Sequence, residues 1–174
     1  WEVRERVAAN PRTPSAALGI LAEDRREGVR QSVGGNPNAL DDVLRALARA
    51  EEWGIRVNVA RNCNAPEDVL WVLGRDPQRD IRAAVAANPA IADGLSVELG
   101  KDSDWHVRRA LAGNERAPIQ VLTILAADTK WPVRSDVAGN PGAPVDLLIK
   151  LSRDIHEEVR ASVAIHPRTP IETL

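Results

Sequence analysis

An all-α solenoid built from two-helix repeats is the fold class this sequence predicts, and three observations predict it. The first is a strict period. Val3-Arg4, Val29-Arg30, Ile55-Arg56, Ile81-Arg82, Val107-Arg108, Val133-Arg134 and Val159-Arg160 follow one another at 26-residue intervals with no insertion or deletion. The second is a pair of apolar stripes at helical spacing inside every period, divided by a proline turn. The third is an aliphatic apolar set, with no Phe, Tyr or Met, so the core must be built from Val, Leu, Ile and Ala. A fixed period in this range marks an array in which each unit packs on its neighbours.

The first unit, WEVRERVAANPRTPSAALGILAEDRR, justifies each element in turn. Val3, Val7 and Ala8 share one face of a first helix. Pro11 disfavours helix at the residue before it, which ends that helix near Asn10. Pro14 suits the opening of a second helix, and Leu18, Leu21 and Ala22 form its apolar stripe. Asp24 and the two residues after it link to the next unit. Each helix runs to roughly nine residues, too short to be stable alone in water, so stacking must hold it.

The other units follow the same ruler over 1–26, 27–52, 53–78, 79–104, 105–130, 131–156 and a partial 157–174, read as one array. The fourth departs from it. Ala92 and Ser96 replace the usual proline and leucine, Gly94 and Gly100 are added, and an irregular second helix is expected over Ile91 to Gly100. Since the chain starts and stops inside the pattern, it reads as part of a longer protein.

The strings VRERVAANPRTPSAALGILAED and VRSDVAGNPGAPVDLLIKLSRD resemble the leucine-rich repeat variant family. The resemblance runs over the whole chain. It implies a right-handed superhelix of alternating α- and 3₁₀-helices without β-sheet. A cysteine-rich iron–sulfur segment known in that family does not carry over, because Cys63 is the only cysteine and a usual cluster needs four. No cofactor and no metal are expected. Nor does any Gly-rich phosphate loop, nucleophile motif or paired histidine support catalysis. Cys63 cannot form an internal disulfide, which fits a reducing, cytoplasmic setting.

Two columns read as structural ladders. Arg4, Arg30, Arg56, Arg82, Arg108, Arg134 and Arg160 could track a phosphate backbone. Bonding to the linker aspartates Asp24, Asp76, Asp102, Asp128 and Asp154 explains them more simply. Asn10, Asn36, Asn62, Asn88, Asn114 and Asn140, with His166 in the seventh place, are suited to satisfy the turn backbone and ladder between units. Positions that vary between units are free to carry specificity. Trp53, Trp105 and Trp131 share the first place of the repeat, which Trp1 also holds, while Trp71 stands on a second helix where exposure is expected. With His106 and Arg109 they form the candidate partner surface. Tryptophan favours binding hot spots. The expected function is a non-catalytic scaffold for another protein. Nucleic-acid binding and an accessory role in a larger enzyme are the rivals, and a net charge of −2 argues against the first of these. No membrane partner is expected, and end-to-end self-association is open.

Overall fold

A computed structural model describes residues 1–171. Among them, thirteen helices and no strands occur. The first helices of successive repeats are α1 (Glu2–Ala9), α3 (Glu27–Gly34), α5 (Trp53–Arg61), α7 (Arg79–Ala86), α9 (Trp105–Ala112), α11 (Trp131–Gly139) and α13 (Glu157–Ile165). The second helices are α2 (Ser15–Leu21), α4 (Asp41–Leu47), α6 (Glu67–Leu73), α8 (Asp93–Leu99), α10 (Ile119–Leu125) and α12 (Val145–Leu151). Contacts gather the chain into two compact units, Trp1–Ile91 and Ala92–Leu174. In the first unit α1, α3, α5 and α7 pack in succession, and in the second α9, α11 and α13 do the same. The second helices bridge each first helix to the next within their unit.

The core is the aliphatic set read from the period. Val29, Val33, Ile55, Val59, Ile81 and Val85 are fully buried in the first unit, and Val107, Leu111, Val133 and Val137 in the second. Leu18, Leu44, Leu70, Leu122 and Leu148 close the core from the second helices. In the first repeat Val3 is 75% exposed and Val7 41%, because both face the side on which a preceding repeat would stack.

Two expectations are corrected. Both sets of helices, α1 to α13, are α-helical, whereas the resemblance implied an alternation with 3₁₀-helices. Leu18 N–H donates to Pro14 O at 3.1 Å and Ala22 N–H to Leu18 O at 2.9 Å, both i to i−4. The 3₁₀ character is confined to the ends, where Ala17 bonds Pro14 and Asp24 bonds Leu21. A helix of seven residues leaves its terminal groups without i−4 partners inside it, and i−3 bonds serve them.

The fourth repeat is also regular. α8 occupies the same register as its counterparts. Ser96 is fully buried at the leucine position, and its hydroxyl donates to Ala92 O at 3.2 Å. The adjacent Leu95, larger than the Ala or Val found there in most repeats, is fully buried and supplies the missing apolar volume. Gly100 occupies a place held elsewhere by Ala22, Ala48 and Gly74, where small residues are the rule. The boundary between the two units falls in this same repeat, between α7 and α8.

Candidate functional site

Every described side-chain column is either committed to the stack or free of it, and the difference defines the site. The asparagines are committed. Asn62 Nδ2 donates to Gly34 O at 3.0 Å and Asn36 O at 2.9 Å, and its Oδ1 accepts from Asn64 N–H at 2.9 Å. Asn36, Asn88 and Asn140 repeat these three bonds one repeat apart. Each amide thus joins its own turn to the previous one, and buried polar groups are satisfied without water. His166 imitates the motif. Its Nε2 meets Asn140 O at 3.1 Å and its Nδ1 accepts from Arg168 N–H at 3.2 Å, which assigns the neutral Nε2–H tautomer. Histidine makes one carbonyl bond where asparagine makes two. His166→Asn is therefore expected to raise stability by about 1 kcal/mol, read as a shift in the urea midpoint.

The arginines are committed as well. Arg134 donates through Nη1 to Asp128 O at 2.7 Å, and through Nε and Nη2 to Asp154 at 2.6 and 2.8 Å. One guanidinium therefore ties the linker before its helix to the linker after it. Arg108 does the same between Asp102 O and Asp128, and Arg56 between Ala50 O and Asp76. Arg30 takes Asp24 O and Glu52 instead. Arg82 and Arg160 donate to Asp76 O and Asp154 O, and Arg4 pairs with Asp24. The same aspartates accept a backbone N–H two residues on, as Asp24 does from Arg26 and Asp154 from His156. The Arg4 guanidinium holds the Asp24 carboxyl below the usual carboxylate range, and Arg134 does so for Asp154. At Asp128 burial pushes upward, but Arg108 and the Lys130 amide outweigh it and the net direction is down.

The candidate partner residues are not gathered in one place. Trp53 is 59% exposed at the start of α5 and borders a concave surface. Trp71 is half-buried rather than exposed. It lies on α6 under the Arg75 guanidinium at 5.0 Å, and its Nε1 reaches Glu67 at 3.3 Å. Its own helix at i−4 and i+4 therefore covers the ring. In the second unit Trp105 leans on His106 at 3.9 Å, and Trp131 stacks on His156 at 5.9 Å. His106 Nδ1 is 2.8 Å from Asp104, and Arg109 pairs with Asp136 at 2.8 Å.

The concave surface itself was not singled out from sequence. In the first unit the second, fifth, sixth and ninth places of α1, α3, α5 and α7 line a groove. Its deepest part, 820 Å³, lies along α5 and α7 and is floored by Gly54, Val57, Ala83 and Ala84. Two shallower parts of 370 Å³ continue it toward α1 through Gln31 and Ser32. These four places recur at i, i+3, i+4 and i+7, so they form one helical face beside the core stripe. A run of small residues at those places (Gly28, Ser32, Gly35, Gly54) was the available signal. Among the described residues no group of three or more His, Cys, Asp or Glu is placed to hold a metal, and no helix is long and apolar enough to cross a membrane. Cys63 is exposed in the turn after α5.

A family model described as leucine rich repeat variant matches residues 1–26. No curated protein sequence matches. Among solved structures the chain is similar to a leucine-rich repeat variant with a novel repetitive structural motif. That likeness has 26% identity and a TM-score of 0.67, and covers 99% of this chain and 73% of that one. The fold alone is shared with the YibA protein of Escherichia coli, at 17% identity and a TM-score of 0.57, over 93% of this chain and 71% of the other.

Proposed function

We propose that the chain, whose first repeat matches the leucine-rich repeat variant model and whose other six continue the same pattern, is a non-catalytic scaffold that binds another protein along the groove of α1, α3, α5 and α7. One observation carries this reading. The stack engages the arginine and asparagine columns, whereas the groove face holds an exposed tryptophan and polar groups that the stack does not need. Repeat arrays bind through extended concave surfaces of this kind, with specificity written in places the fold leaves free.

The guanidiniums favour protein over nucleic acid as the partner. Those of Arg56, Arg108 and Arg134 are 12–15% exposed and face carboxylates, not solvent. A phosphate would have to displace bidentate pairs that the linkers already hold.

The test compares two baits, Trp53→Ala and Trp71→Ala, each first shown to keep the parent helical circular dichroism. The parent and Trp71→Ala are expected to retain the same protein partner by affinity capture, and Trp53→Ala to lose it. Equal capture by all three removes the groove from the reading, and capture of nuclease-sensitive material alone replaces it with the nucleic-acid rival.

A further inference from the structure

The charges along the groove are ordered, one carboxylate to each repeat. Glu2 sits at the second place of α1. Glu5 reaches across to α3, where its carboxylate lies 3.2 Å from where a Gly28 side chain would begin. Glu27 reaches to α5 in the same way, its Oε1 3.3 Å from the corresponding point on Gly54. Asp80 holds the second place of α7 outright, with Arg79 3.5 Å away. Glycine at 28 and 54 thus lets a carboxylate from the preceding helix lie on the floor. Trp53 lines the same part of the groove as Gly54, which the Glu27 carboxylate reaches.

Glu5 makes no ion pair among the described residues, and Glu27 bonds only the Gln31 amide at 2.6 Å. Two amide oxygens add to them. Asn58 uses its Nδ2 on Gly54 O and Gln31 uses its Nε2 on Glu27, which leaves Asn58 Oδ1 and Gln31 Oε1 as acceptors toward the groove. The second unit differs at the same places. There Arg109 pairs with Asp136, and the Ser135 and Ser162 hydroxyls meet at 2.9 Å, so the facing groups satisfy one another. Its second places hold His106, Pro132 and Glu158 in place of an acidic line. The basic groups of the first-unit groove, Arg6 and Arg61, occupy the sixth and ninth places on the opposite rim.

We propose that the α1–α7 groove binds an extended polypeptide segment carrying lysine or arginine at regular intervals. The proposal deepens the scaffold reading above and rests on it. The cationic side chains pair with the carboxylate line, one of them against the Trp53 face, and the Gln31 and Asn58 oxygens accept from the segment's backbone N–H groups. Neighbouring packed helices are about 9 Å apart, the rise of about three residues in an extended polyproline-II-like chain, whose every third side chain shares one face, so a basic residue at every third position matches one carboxylate per repeat. Four repeats then take a segment of about ten residues, with a basic residue at each end.

The probe is a fluorescein-labelled peptide of about ten residues with lysine at every third position and alanine between, read by anisotropy at low and physiological salt. Its counterpart carries glutamate in place of lysine. The lysine peptide is expected to bind and the glutamate peptide not to bind. Glu5→Gln and Glu27→Gln, both surface changes that leave the core intact, are each expected to weaken binding by about three- to five-fold. Glu158→Gln in the second unit leaves it unchanged. No binding of the lysine peptide, or equal binding by the Glu5→Gln/Glu27→Gln double variant, overturns the proposal. If that happens while Trp53 still governs capture of a protein partner, the scaffold reading survives and only the basic segment is lost. If capture also ignores Trp53, both fall.

Discussion

Asn62→Ala is expected to destabilise the chain by about 3 kcal/mol, a large effect for a single polar substitution. Asn62 is 3% exposed and makes three hydrogen bonds in two successive turns. Truncation removes all three, strands the Gly34 carbonyl and the Asn64 N–H, and leaves the Asn36 carbonyl with the Ala39 N–H alone. The methyl that replaces the amide cannot admit a water with enough polar contacts to compensate. Asn10→Ala provides the contrast. Asn10 is exposed, and its side-chain oxygen accepts from Arg12 N–H within its own turn. That variant is expected to cost under about 1 kcal/mol. Urea denaturation of the two variants beside the parent decides the matter. Equal losses would show that the amides act within their own turns and not as links between repeats.

Arg134→Ala is the second large effect, at about 3 kcal/mol. The guanidinium is 12% exposed and Asp154 8%, so the variant leaves a carboxylate in a poorly hydrated site. It also frees the Asp128 carbonyl. Arg134→Lys is expected to recover only part of the loss, since a single ammonium cannot meet a carboxylate edge and a carbonyl on opposite sides. Arg4→Ala is expected to fall within about 1 kcal/mol, because Arg4 is 52% exposed and solvent screens its pair. The same pairs set an acid limit. Asp24, Asp128 and Asp154 have folded-state values below the ordinary carboxylate value. A depressed carboxyl contributes stability that is fully present above the unfolded value of about 3.9 and is lost as pH falls through the folded one. Thermal midpoints should therefore hold from neutral pH to about pH 4 and drop below it, and the drop should be smaller in Arg134→Ala.

Much of the architecture is legible in the sequence because it is periodic. The prolines at 11 and 14 mark the turn, and the 20-residue step from Arg134 to Asp154 recurs from Arg4 to Asp24 and from Arg108 to Asp128. What resists reading is whatever depends on a neighbour out of column. Ser96 looks like a broken core until Leu95 is counted beside it. Trp71 looks exposed until Glu67 and Arg75 are placed one turn away on either side. The helix class of α2 rests on whether its N–H groups bond at i−4 or i−3, which periodicity does not report. The groove escaped because its residues vary from repeat to repeat, whereas a column search rewards sameness. Gly28 and Gly54 have no common side chain to notice; they matter for what they leave room for.

No glycine among the described residues has a positive φ. The glycines of α3 and α5 are thus ordinary helical positions that any L-residue can occupy without backbone strain. A methyl at 28 or 54 would press on the far ends of the Glu5 and Gln31 side chains, which can swing aside. Single-base changes at these codons could therefore move a carboxylate by an ångström or two while leaving the array intact. On the proposed reading, recognition and folding fall on separate residues, so the groove can drift toward new ligands through a series of folded intermediates.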